Sequence, residues 1–151
     1  MLRILIVEDS PSMRGYVRGA LEGAPELGDD LEIMEAASGF DALRLLPRST
    51  YDLVVTDINM PDINGLELIR FVRQNNHLGA VALLVISTQS SERDRARSLA
   101  LGADEFLAKP FSPEQLVSAV SKCLGVRRSR HPGDDDGEAR SLSKPPRESG
   151  V

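Results

Sequence analysis

Leu53-Val54-Val55-Thr56-Asp57-Ile58-Asn59-Met60-Pro61 decides how this chain is read. A short apolar run breaks at a lone carboxylate, Asp57, and a turn sequence follows. An apolar run that stops at a polar residue reads as a buried parallel strand reaching the rim of its sheet. The pattern recurs along the chain. Ile4–Val7 is followed by Glu8 and Asp9, Val81–Ile86 by Ser87, and Glu105–Ala108 by Lys109 and Pro110. Four strand ends therefore deliver acids, a hydroxyl and a lysine to one edge, the edge where open α/β sheets build their sites.

Working outward, strands and helices alternate. Strand Arg3–Val7 leads to a helix from about Pro11 to Leu21, with Ser10 as its cap and Pro11 at the first helical position. A polar loop, Glu22–Asp30, precedes strand Leu31–Ala36 and a short helix, Gly39–Leu46. Strand Asp52–Thr56 and the turn through Asn64-Gly65 lead to a helix ending near Gln74. Strand Val81–Ile86 leads to a helix over Ser91–Leu101. Strand Glu105–Ala108 leads to a last helix, Pro113–Leu124, with Ser112 and Gln115 as a capping box and Gly125 as its stop. Five such units predict a doubly wound, five-stranded parallel α/β sheet flanked by five helices with right-handed crossovers. The stripes Tyr16, Val17, Ala20, Leu21 and Leu116, Val117, Val120, Leu124 read as core-facing.

Composition narrows the function classes. A chain of 151 residues, 41% hydrophobic and 27% charged, suits one soluble domain with a real core. No apolar run approaches the ~20 residues that span a bilayer, and the N-terminus enters a strand directly, without a signal-peptide layout. The single Cys123 excludes an internal disulfide, fits a reducing cytoplasm and reads as buried filler. A net charge of −5 argues against general nucleic-acid binding. His77 and His131 have no partner at metal-ligand spacing. From Arg127 on, Pro, Gly, Ser and blocks of charge replace large apolar residues. Too little surface is buried there to offset ordering entropy, so residues 126–151 read as a disordered tail beyond a domain at 1–125.

The rim residues suit a divalent metal and a phosphoryl group. Glu8, Asp9 and Asp57 repel one another if their strands are neighbours, and so call for a cation. Mg²⁺ takes octahedral oxygen ligands and keeps waters, so carboxylates plus a backbone carbonyl, such as that of Asn59, suffice. One carboxylate can then attack a phosphoryl group. Lys109 brings a mobile positive charge and Ser87 a hydroxyl donor. Taken singly, each has a bland reading: Asp9 as a helix cap, Ser87 as a turn residue, Lys109 as a solvated charge. Four strand ends with complementary chemistry outweigh those readings. A phosphatase of the haloacid-dehalogenase type also uses an Asp after a strand, but needs a second Asp two residues later; Asn59 stands there. A scaffold that works unphosphorylated has no need of this site.

The set Ile6-Val7-Glu8-Asp9-Ser10, Val54 through Pro61, Asn64-Gly65, Val85-Ile86-Ser87 and Gly102-Ala103-Asp104 through Lys109-Pro110-Phe111 resembles the receiver domain of bacterial two-component response regulators over residues 2–125. The resemblance implies a flavodoxin/CheY-like strand order 2-1-3-4-5. It implies that Asp57 accepts phosphate from a histidine kinase, with Mg²⁺ held by Asp9 directly, Glu8 through water and the Asn59 carbonyl. Lys109 would contact the phosphoryl group, with Lys109–Pro110 in cis. Ser87 would swing toward the phosphoryl group, and Phe106 would then turn inward, switching the face of the fourth helix, fifth strand and fifth helix for a protein target. Thr88, where many receivers carry Ala or Gly, and Gln89, where Glu is common, would tune phosphoryl access. Glu8 replaces the commoner Asp, and Phe106 the Tyr of flagellar regulators. No DNA-binding domain fits after residue 125, so the resemblance points to a stand-alone, monomeric, cytoplasmic receiver of chemosensory type, with no membrane or nucleic-acid partner and no enzymatic output beyond its own phosphorylation cycle. The alternative roles are a phosphorylation-independent receiver-like scaffold or a phosphate sink.

Overall fold

The computed structural model describes residues 1–88 and 92–130, the side chains of 128–130 excepted. The elements run β1 (Leu2–Val7), α1 (Pro11–Glu22), β2 (Leu31–Ala36), α2 (Gly39–Leu45), β3 (Leu53–Asp57), α3 (Gly65–Gln74), β4 (Ala82–Ser87), α4 (Glu92–Leu101), β5 (Glu105–Ala108) and α5 (Pro113–Arg130). The five strands form one parallel sheet in the order β2-β1-β3-β4-β5, as the resemblance implied.

Side chains alternate between the two faces of a strand, so each central strand feeds two cores. Ile4, Ile6, Leu53, Val55, Leu84 and Ile86 meet Val17 and Leu21 of α1 and Leu116, Val120 and Cys123 of α5. Leu5, Val7, Val54, Leu83 and Val85 meet Ala42 of α2 and Leu68, Ile69 and Val72 of α3. β3 and β4 are buried along their whole length, which is why they read as continuous apolar runs rather than alternating ones.

The helices start where capping residues dictate. Ser10 Oγ accepts from Met13 N, and Pro11 follows at the first turn. Asn64 and Glu67 form a reciprocal capping box at α3, and Ser112 and Gln115 do the same at α5. Gly102, with φ of +124°, turns the chain out of α4 in a conformation that disfavours any side chain.

Two expectations need correction. α5 does not stop at Gly125; it continues to Arg130. A glycine ends a helix by adopting a left-handed conformation, and only Gly28 and Gly102 have positive φ among the described residues. Tyr16 is not a core residue. Its ring is exposed on α1, tilted against Phe111 at 5.8 Å, and its hydroxyl donates to the Phe111 carbonyl at 2.7 Å. Smaller differences lie at the element ends. β3 and β4 each begin and end one residue later than expected, and Pro47 turns the end of α2 into a 3-10 turn, Leu46–Arg48. Another 3-10 turn, Pro25–Leu27, punctuates the loop before β2. The expected disordered tail, residues 126–151, is likewise corrected over 126–130, which continue α5; the rest of it, His131 included, and Ser91, the expected start of α4, lie outside the described residues.

Candidate functional site: an acidic pocket at the carboxyl edge of the sheet

The strand register assembles the site. Val7 pairs with Thr56, so Glu8 comes level with Asp57. Asp57 pairs with Ile86, which puts Ser87 one step beyond, and Ser87 pairs with Ala108, which puts Lys109 one step beyond that. The Lys109 amide donates to the Ser87 carbonyl at 2.9 Å, extending the ladder into the loop. The four rim residues thus follow from parallel pairing alone.

Glu8 and Asp57 are buried, and Asp9 is exposed at the mouth. Carboxylate oxygens of the three lie within 4.8 Å of one another. Lys109 Nζ bridges two of them, 2.9 Å from Glu8 Oε1 and 3.3 Å from Asp57 Oδ2. Backbone donors fix the remaining oxygens: Ser10 N donates to Glu8 Oε2 at 3.1 Å and Ile58 N to Asp57 Oδ1 at 2.8 Å. Burial pushes the Glu8 carboxyl above its ordinary range, against the pull of Lys109 and the Ser10 amide, and the Asp57 charge adds to the rise. Two buried acids leaning on one ammonium make a site short of positive charge. Its donors are all hard oxygens, and such a set fits a hard divalent cation.

The loop after β3 is held by its own chemistry. Gly65 N donates to the Ile58 carbonyl at 2.8 Å. Asp62 reaches across to α2, accepting from Gly39 N at 3.2 Å and Phe40 N at 2.9 Å, and from Ile63 N at 2.7 Å. Those amides hold its carboxyl down at about 2. The loop bearing exposed Asn59 is therefore tied to a neighbouring helix N-terminus.

The structure brings Glu8, Asp9, Asp57 and Lys109 into mutual reach. Ser87 lies fully buried at the end of β4, and Thr88 is exposed beside it. Gln89 lies outside the described residues. Phe106, expected to turn inward only on phosphorylation, already sits inside, 7% exposed, among Val54, Leu83 and Val85. An apolar ring without a hydroxyl has nothing to gain at the surface, and packing holds it in.

Other residues that shape the site were not singled out in the sequence. Arg14 Nη1 donates to the Glu8 carbonyl at 2.8 Å while its Nε pairs with Glu35 at 3.1 Å, steadying the acidic loop. Tyr16 pins the carbonyl of Phe111, two residues past Lys109. The Lys109–Pro110 bond, by contrast, is cis as the resemblance implied.

A family model, "Response regulator receiver domain", matches residues 4–121. The chain belongs to this family. A CheY homologue of Campylobacter jejuni, titled a chemotaxis protein, is 30% identical over 126 residues, covering 83% of this chain and 94% of that protein. The sensor histidine kinase TmoS of Ectopseudomonas mendocina is 33% identical over 125 residues, 83% of this chain but only 12% of the kinase. The chain likewise spans about half of the transcriptional regulators that it matches, 49% of one and 52% of another. The solved chemotaxis response regulator CheY4 of Vibrio cholerae superposes with a TM-score of 0.73 at 31% identity, covering 82% of this chain and 98% of that one. Receiver domains are signalling modules rather than classical enzymes, and response regulators work with histidine kinases. No helix among the described residues is long and apolar enough to cross a membrane.

Proposed function

We propose that this receiver is a chemosensory-type phosphorylation switch in which Asp57 takes a phosphoryl group from a histidine kinase. The observation that supports this most is the placement of Lys109 Nζ between Glu8 and Asp57, with Asp9 at the mouth. The Asp57 carboxylate attacks phosphorus, the phosphorus–nitrogen bond of the phosphohistidine breaks, and its electron pair returns to the imidazole. Ile58 N–H fixes the carboxylate rotamer through Oδ1, so attack needs no search for orientation. Lys109 transfers its contact from the carboxylates to the phosphoryl oxygens, where new negative charge has collected. Asp9, Glu8, Asp57 and the Asn59 carbonyl would hold Mg²⁺, which when bound would screen the charge between the acids and the incoming phosphoryl group.

The output follows from what surrounds Ser87. Its hydroxyl donates to a phosphoryl oxygen and draws the end of β4 toward Asp57, and Thr88 and Gln89 tune access to that oxygen, as the resemblance implies. α4 follows directly and buries only Ser98, so it moves at small cost in packing. The face of α4, β5 and α5 thereby changes for a protein target. Phe106 is already inside, so the change falls on the β4–α4 segment more than on the ring. The chemosensory assignment rests on the resemblance of Ser12-Met13-Arg14, after the acidic pair, and of the sequence Ser87-Thr88-Gln89-Ser90 to chemotaxis-type receivers, and on likeness to CheY homologues across nearly their whole length. A monomeric, cytoplasmic receiver whose last helix runs to Arg130 fits that reading.

Phosphotransfer from a panel of autophosphorylated histidine kinases tests it. Fastest loss of label from a chemosensory kinase, with label appearing on this chain, is expected. Transfer only from kinases of other classes would overturn the subtype.

A further inference from the structure

At the opposite, amino edge of the sheet a cavity of about 400 Å³ lies between the segment entering β3 and the segment entering β4. Arg48, Ser49, Thr50, Tyr51, His77 and Arg127 supply its polar walls, with Leu46, Pro47, Leu78 and Val81 beside them. No carboxylate is among these residues, in a chain whose net charge is −5. Tyr51 is buried.

Arg127 reaches this cavity because α5 runs on past Gly125. Its Nη2 lies 3.3 Å from Asp52 Oδ1, and Asp52 Oδ2 accepts from Arg3 N at 2.8 Å. One carboxylate thus anchors the guanidinium through Nη2. Nε is buried and makes no hydrogen bond, and among the described residues no other buried side-chain nitrogen or oxygen shares that condition. A buried donor on a charged group without an acceptor is costly, and an anion held against the same guanidinium offsets part of that cost. Arg48 is exposed on the other wall and paired with no acid among the described residues. With Asp52 counted, the two arginines still leave a formal positive charge.

We infer that this cavity binds a phosphate group, either free phosphate or the terminal group of a small phosphomonoester. Two guanidinium forks match phosphate oxygens in pairs, and the hydroxyls of Ser49 and Thr50 add donors around a tetrahedral anion. The volume falls in the range of small-ligand pockets, roughly 300–1,000 Å³, and exceeds what one ion fills, so the apolar wall of Leu46, Pro47 and Leu78 has room for a ligand body. The site stands apart from Asp57 and does not rest on the phosphorylation reading.

The test is a titration of the full chain, without Mg²⁺, by inorganic phosphate and separately by adenosine 5′-monophosphate, followed by amide NMR. Shifts clustered on Arg48–Tyr51, Leu78–Val81 and Arg127 are expected. Arg48→Ala and Arg127→Ala should each weaken binding roughly tenfold or more, the scale of one charge-assisted hydrogen bond. Tighter binding of the nucleotide assigns the site to a phosphomonoester; equal binding assigns it to phosphate alone. Arg48 is exposed, so its variant folds even if loss of the Arg127–Asp52 pair unsettles α5. Shifts absent from these residues, or unchanged affinity in Arg48→Ala, would overturn the site.

Discussion

A Cβ added at Gly65 would stand 2.2 Å from the carbonyl oxygen of Asp57 and 3.0 Å from its carbonyl carbon. The start of α3 is thus pressed against the backbone of the reactive residue, and only a residue without a side chain permits it. Because the obstructing atoms are backbone, they cannot swing aside. Gly65→Ala should cost about 1–3 kcal/mol or more by overpacking, measured by urea denaturation. It should also slow labelling of Asp57, since relief of the clash moves the carboxylate. A variant with normal stability and normal labelling would show that the approach is not this close.

Lys109 carries the one ammonium shared by Glu8 and Asp57. Lys109→Ala leaves two buried acids without a counter-charge, a loss of about 3–5 kcal/mol by the scale of broken buried pairs. The same change makes the pocket more negative. Mg²⁺ should therefore raise the melting temperature of Lys109→Ala by more than that of the wild type, while labelling of Asp57 falls. Thermal melts with and without the cation check both. An equal or smaller Mg²⁺ effect in the variant would contradict the assigned role of the lysine.

Asp62 ties the reactive loop to α2 through the amides of Gly39 and Phe40, accepts a third from Ile63 of its own loop, and its pKa of about 2 is lower than the ordinary carboxylate value. A carboxyl depressed in the folded state stabilises above its unfolded pKa, ~3.9, and that contribution is lost as pH falls toward about 2. Asp62→Ala should melt earlier than wild type at neutral pH. The gap should close between about pH 4 and pH 2. A gap that persists at the acid end would mean the amides are not held by the carboxylate.

Arg73 fastens the lower ends of β4 and β5. It donates to the carbonyls of Gly102, Gly79 and Val81 at 2.9, 3.0 and 2.7 Å and pairs with Asp104 at 3.1 Å. A guanidinium spans these acceptors at once and an ammonium does not. Arg73→Lys should keep the charge yet destabilise by about 1.5–3 kcal/mol, the scale of a hydrogen bond to a charged group. Stability equal to wild type would reduce the arginine to a surface charge.

The sequence made the sheet readable because its central strands are buried on both faces. Leu31–Ala36 and Glu105–Ala108 match their observed ends. Strand β3 ran one residue further than expected because Asp57, polar and so read as lying beyond the strand, still pairs with Ile86 in the ladder. Glu8, Asp57, Ser87 and Lys109 were legible for the same reason: each ends an apolar run, and parallel register does the rest. What escaped was carried by long-range partners. Tyr16 looked like part of an apolar stripe, but its hydroxyl finds a carbonyl 95 residues away. Arg73 stands in no sequence motif, and nothing local signals the carbonyls and the carboxylate that it reaches. Gly125 looked like a stop because composition does not reveal φ.

The most direct test is the intact mass of the wild type and of Asp57→Asn after incubation with a small acyl-phosphate donor, with and without Mg²⁺. One added phosphoryl group on the wild type with Mg²⁺, and none on the variant or without the cation, is the expected result. An unlabelled wild type in the presence of Mg²⁺, with histidine kinases also tried as donors, or equal labelling of the variant, would contradict the assignment of Asp57 as the phosphoryl acceptor.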